Sequence, residues 1–260
     1  MIGLDFGFGP LEAEFWRLLF VMTRIGAALF AVPLFGGGAV PGQVRVIIAG
    51  ALAVLVCAWT NVAAPPAILS LAGMVVLAGE VVIGLALGFV LQVAFAAPVI
   101  GAELIGAGMG MSIAASADPL NGAHSPMFGQ YFSIVLALLW LGLGAHLDWI
   151  SLLVESYRAF PPGAVWLTPA HLHPITALGG DMFLAGLAIA VPVVVLLLVV
   201  QLVTGIIARS APSLNLFALG LPAGVLVGIG ALIVSAPLIG DRMADLAHGA
   251  VAQAATLLAH

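Results

Sequence analysis

Residues 205–222 read GIIARSAPSLNLFALGLP and turn the chain between two apolar runs, each long enough to cross a bilayer. Residues 182–208 carry no charge, Arg209 stands alone, and residues 213–240 are again uncharged. A spanning helix needs about 20 such residues, so the pattern predicts a membrane hairpin with a short basic turn. Pro212 cannot enter a helix interior without removing a hydrogen bond. Ser210, Ser213 and Asn215 can satisfy backbone groups left open where two helices end. Arg209, Pro212 and Asn215 are therefore expected to define the turn, with the cation at a helix C-terminus and Asn215 capping the next helix.

The rest of the chain agrees with this fragment. Hydrophobic residues make up 63% and charged residues 7%, with a mean hydropathy of +1.28, whereas soluble domains carry roughly 25% charged residues. No soluble surface can be built from this composition, and no segment reads as a separate soluble domain. An all-α polytopic membrane protein forming one integral domain over residues 1–260 is expected. The acidic N-terminus lacks the basic region of a secretory signal, so the first apolar stretch reads as a true span. Eleven acids face six arginines and no lysine, which excludes a basic nucleic-acid stripe. Cys57 is the only cysteine, so neither a disulfide framework nor a cysteine metal site fits one chain. The histidines show no i,i+4 pairing, and no Gly-x-Ser-x-Gly, Walker or His-Glu-x-x-His motif occurs. Neither enzyme chemistry nor a metal or other cofactor is expected.

Six long helices are expected, at about 11–35, 44–61, 68–97, 127–146, 181–207 and 214–240. Pro98 is expected to end the third. Between residues 99 and 125 the pattern loosens, with Gly101, Gly106, Gly108 and Gly110 followed by Asp118 and Pro119. Irregular backbone at membrane depth survives only where protein or water shields it, so this segment reads as pore-facing or re-entrant. The polar stretch 147–180 should hold a short amphipathic helix, and 241–260 a short tail. Six crossings, with Arg45 and Arg209 in short loops, place those turns in the cytoplasm and both termini outside. Trp16, Trp59, Trp140 and Trp149 fall near span ends, where an aromatic belt would sit.

Ionisable side chains inside spans face protein or water, which singles out Arg17, Arg24 and Glu80. Glu14 and Arg17 are three apart and should pair to anchor the first helix. Arg24, deeper in, is expected to meet a partner subunit. Glu80, Gly84 and Gly88 recur every four residues, as do Gly220, Gly224 and Gly228, presenting small-residue faces for close helix packing. Met109 and Met111, among glycines, suit either core gap-filling or a deformable apolar seal.

These residues also form an ordered set that resembles the FliR family of flagellar biosynthetic proteins, whose SctT-type counterparts belong to injectisomes. Its strongest part is Pro192, Gly205, Arg209, Pro212, Asn215, Phe217, Gly220 and Pro222. Arg24, Pro33, Pro41, Arg45, Gly79, Glu80, Gly84, Gly88, Asp118, Pro119, His146, Ser156 and Pro161 agree in order. Ser213 departs from the glutamine that many relatives carry there. The resemblance implies a non-enzymatic subunit of the type III export gate in the bacterial inner membrane, at the flagellar basal body. FliP-like, FliQ-like, FlhB-like and FlhA-like partners are implied, with unfolded proteins as substrates. It also implies a channel plug over about 106–122, which contains Gly106, Gly108, Met109, Gly110, Met111, Asp118 and Pro119. The competing reading is a proton-coupled secondary transporter, which would want a second buried acid beside Glu80, for which Glu103 and Asp118 could be offered, or a histidine chain.

Overall fold

The computed structural model describes residues 10–36, 40–60, 62, 70–111, 127–162, 169–210 and 216–258. Among the described residues there is no strand, and the elements in chain order are α1 (Pro10–Ala31), α2 (Pro33–Gly36), α3 (Gly42–Trp59), α4 (Leu71–Gly108), α5 (Met127–Gly142), α6 (Ala145–Ala159), α7 (Pro169–Ser210) and α8 (Leu216–Thr256). The chain divides into two compact units. One comprises Met1–Ala94, Gly144–Leu178 and Gly249–His260; the other comprises Phe95–Leu143 and Gly179–His248.

The all-α membrane class holds, but the helices differ from the expected six. Four are long and apolar enough to cross a membrane, and the broken pair α5 and α6 would make a fifth. The first expected span is interrupted at Val32, and α1 carries Glu12, Glu14, Arg17 and Arg24, which makes it too polar to count among them. The span expected at 127–146 breaks at Leu143 and Gly144, where Gly144 takes a left-handed φ of 78°. A side chain at that φ would be strained, so glycine is the residue that permits the break. The short helix expected within 147–180 is α6. The expected orientation rests on an even number of crossings, and four or five candidates do not fix that parity.

Pro98 does not end the third helix. It lies buried within α4, which runs on for ten more residues to Gly108. The missing N–H and ring clash of proline are tolerated where no water competes for the backbone and every other amide is best satisfied within the helix. The stop is Gly110, with φ 83° and its N–H on the Ala107 carbonyl at 3.0 Å. A left-handed glycine just past the last turn is a common helix terminator. The tail expected after 240 is likewise helical, as the last four turns of α8. At 1.5 Å per residue, the 38 residues of α4 extend about 57 Å, and the 42 of α7 and 41 of α8 slightly more. Each is about twice the hydrocarbon thickness of a bilayer.

In the first unit, α1 packs along α3 and α4 around Phe20, Val21, Ile25 and Leu29. In the second, α4 and α7 meet at two facing glycines. A Cβ on Gly101 would stand 2.9 Å from the Gly186 carbonyl oxygen, and one on Gly186 would stand 2.7 Å from the Ala97 oxygen. Trp140 of α5 is 1% exposed and meets Phe95 edge-on at 6.2 Å, and Trp149 of α6 is equally buried. These two indoles are core residues and not part of an interfacial belt, because each covers the flank of an apolar helix.

The glycine contact gives a paired test. Gly186→Ala should lower stability by about 1–3 kcal/mol through overpacking against backbone. Gly180→Ala, in the same helix with open space around it, should be neutral or slightly stabilising. Thermal denaturation of the detergent-solubilised protein distinguishes the two, and equal melting temperatures would contradict the close approach of α4 and α7.

Candidate functional site

Arg24 and Glu80 are isolated charges on two apolar helices, and the first unit brings them together. Arg24 is 0% and Glu80 1% exposed. The guanidinium Nε donates to one Glu80 carboxylate oxygen at 2.7 Å and Nη2 to the other at 2.9 Å. Nη1 donates to the Ser156 carbonyl at 2.7 Å and to its hydroxyl at 3.1 Å, while Nη2 also donates to the Phe160 carbonyl at 2.8 Å. These five bonds match the five N–H donors of a guanidinium. The Tyr157 ring covers the cation at 4.1 Å, and its hydroxyl donates to the Val21 carbonyl at 2.7 Å. One side chain thus joins α1, α4 and the C-terminal end of α6, where carbonyls left open by the helix attract a cation.

The expectation that Arg24 meets a partner subunit is corrected, because its donors are used within the chain. Gly84 and Gly88 are equally intramolecular. A Cβ on Gly84 would collide with the Arg24 carbonyl, and one on Gly88 would stand 2.5 Å from the Ala28 oxygen. Their bare faces let α4 approach α1 closely enough for the Glu80 carboxylate, one turn earlier, to reach the guanidinium. Ser156 and Tyr157 were not singled out as partners. The available signal was electrostatic: two lone opposite charges in apolar segments must neutralise each other or face water.

Arg17 binds the other end of α1. Its Nη1 approaches Glu14 at 3.3 Å, as the three-residue spacing suggests. The shorter bonds go to carbonyls: Nη2 to Cys57 at 2.8 Å and Thr60 at 2.6 Å, and Nε to Val62 at 2.7 Å. Arg17 therefore caps the C-terminal end of α3, and the pair with the exposed Glu14 is secondary.

In the second unit the end of α4 is held by two helices. Met109 is 1% exposed, and a Cβ on Gly228 of α8 would collide with its thioether methyl and stand 2.6 Å from its Cγ. Gly224 faces the Met109 carbonyl, 3.1 Å from where a Cβ would be. Gln201 of α7 donates its side-chain amide to the Gly108 carbonyl at 3.0 Å. Gly228 and Gly224 are thus a notch for Met109, whereas Gly220 and Gly106 face open space and Met111 is half-buried. Asp118, Pro119, Pro212 and Asn215 lie outside the described residues. Arg209 is exposed in the last turn of α7. Among the described residues no cluster of metal-binding side chains occurs.

The hub predicts that charge alone will not replace Arg24. Arg24→Lys keeps a cation but has three donors on one atom for acceptors spread over α4 and the end of α6, and should cost on the order of 3 kcal/mol. Thermal melts and steady-state abundance should both fall. Abundance like that of the parent protein would contradict the fork geometry.

Similarity to known proteins extends along nearly the whole sequence. The family model described as bacterial export proteins, family 1, matches residues 15–250. The flagellar biosynthetic protein FliR of Pectobacterium carotovorum subsp. carotovorum is 34% identical over 228 residues, covering 86% of this chain and 84% of that protein. FliR of Escherichia coli K12 is 33% identical, covering 88% and 86%, and FliR of Bacillus subtilis 168 is 33% identical, covering 85% and 86%. The matched region takes in the Arg24 hub, the notch for Met109, α7 and most of α8, and the chain belongs to the bacterial export proteins, family 1, within the FliR family of flagellar biosynthetic proteins.

Proposed function

We propose that the chain acts as one non-enzymatic subunit of the type III export gate, forming part of the channel and its closure for unfolded flagellar substrates crossing the inner membrane at the basal body. The observation that carries this reading is the family match over residues 15–250, with flagellar relatives covered along more than four fifths of their length. At the coarser level, the chain is a membrane-embedded component of the flagellar export apparatus. FliP-like and FliQ-like subunits are its proposed immediate partners, with FlhB-like and FlhA-like proteins nearby. The length of α4, α7 and α8 supports a protein that does not sit in lipid alone, since helices of about twice the bilayer thickness need other surfaces to cover them.

Closure is proposed for residues 106–122. The clamp on Met109 and Gly108 fixes the upstream end of that segment to α7 and α8, and Gly110 turns the chain away from the α4 axis. Arg209, Pro212 and Asn215 are proposed to fix the hairpin between α7 and α8 and not to bind a small ligand.

Deleting residues 113–118, downstream of the clamp, should leave the complex assembled while making the membrane leaky to ions. Growth and ion flux are measured in cells that co-express the FliP-like and FliQ-like partners. A complex that assembles with the deletion and remains tight to ions would remove the plug from the proposal.

A further inference from the structure

The exposed face of α4 changes character along its length. In its first half the exposed side chains include Val81, Leu85 and Phe89. Beyond Phe89, among the described residues, no large apolar side chain is exposed until Met127. The positions that face outward there are Gln92, Glu103 and Ala107, with Ala96 and Val99 partly open between them. Their spacing of four, three, four and four residues puts them on one side of the helix. The opposite side is the buried one, carrying Leu91, Ala94, Ala97, Ala102, Ile105 and Met109.

Between Phe183 and Ile207 in α7, and between Leu226 and Leu238 in α8, large apolar side chains are exposed, whereas the last turns of α8 expose Asp241, Arg242, Asp245 and His248. The apolar faces carry Val195, Leu198 and Leu202, and Leu226, Ile229 and Ile233. Those faces suit acyl chains or an apolar partner. A carboxylate does not, and Glu103 is exposed with neither ion pair of the described residues involving it. An ionisable group on an otherwise apolar helix faces water or a partner charge. Along its own row Glu103 lies between Val99 and Ala107, with the half-buried Ile100 and Leu104 flanking it on one side.

Resting on the export-gate reading, we infer that the stripe Gln92, Ala96, Val99, Glu103 and Ala107 is the surface of this chain that lines the aqueous passage. Glu103 supplies a hydrated negative charge on its wall, and the small residues offer a passing extended polypeptide no pocket in which to lodge. The stripe runs directly into the clamp at Met109, so the wall leads to the proposed closure.

The test uses thiol chemistry, because a charged methanethiosulfonate reacts with a thiolate, which forms in water and not in lipid or a dry interface. With Cys57→Ala as background, Glu103→Cys and Ala107→Cys are compared with Val195→Cys and Leu202→Cys of α7. Each is co-purified with FliP-like and FliQ-like subunits and placed in lipid nanodiscs, where both membrane faces are open to reagent. Ala107→Cys is a small change that keeps the test available if Glu103→Cys does not assemble. Positions 103 and 107 should react at least ~10-fold faster than 195 and 202. Equal rates in an assembled complex would overturn the lining stripe, whether acyl chains or a tightly packed partner helix covers it, and would leave the export-gate reading standing. Failure of the parent chain to co-purify would instead remove the export-gate reading, and the stripe with it.

Discussion

The guanidinium of Arg24 is the constraint on which the first unit depends. Five donors meet five acceptor contacts on Glu80, Ser156 and Phe160, and no water or lipid can substitute for any of them at 0% exposure. A buried ion pair adds little net stability, because desolvating two charges offsets most of their attraction. Breaking one is different, since the remaining charge is left without compensation. The hub therefore acts as a specification: α1, α4 and α6 can come together in the one arrangement that satisfies all five donors. Gly84 and Gly88 set the helix separation that makes this possible, and a methyl group on either would push α1 away.

Much of this was legible in the residues. The two uncharged runs around Arg209 correspond to α7, which ends at Ser210, and α8, which begins at Leu216, while the turn between them lies outside the described residues. Of the two glycine series, Gly84 and Gly88 on α4 and Gly224 and Gly228 on α8 meet close neighbours within the chain, whereas Gly220 faces open space. What could not be read was long-range. Arg24 and Glu80 are 56 residues apart, and Ser156 is 132 from Arg24, so nothing local signals that they meet. Pro98 misled for a different reason. Its local rule was derived for helices in water, whereas the buried middle of α4 offers its backbone no other partner than the helix itself. Gly110, a conventional stop, was present but masked by the number of glycines around it.

The buried acid also bears on what the chain does. Both oxygens of Glu80 accept from Arg24, and its neighbours are a capped helix end and an aromatic ring. That arrangement holds the carboxylate in place as the partner of a single cation, which fits a structural role for Glu80. The second unit divides its labour by helix face. Bulky apolar surfaces on α7 and α8 suit lipid or partners, and the end of α4 is clamped where the chain leaves it at Gly110.

A double-mutant cycle on the buried pair tests the central claim most directly. Arg24→Met, Glu80→Met and the double substitution are compared by thermal unfolding of the complex in detergent. If the pair organises the first unit, each single change leaves an uncompensated charge and the double change recovers part of the loss, giving a coupling of more than about 2 kcal/mol. The Ser156 and Phe160 carbonyls lose the bonds from Arg24 in both Arg24 variants, so recovery should be incomplete. Single losses that simply add, to within about 0.5 kcal/mol, would mean that Arg24 and Glu80 act independently and that the hub does not hold this fold together.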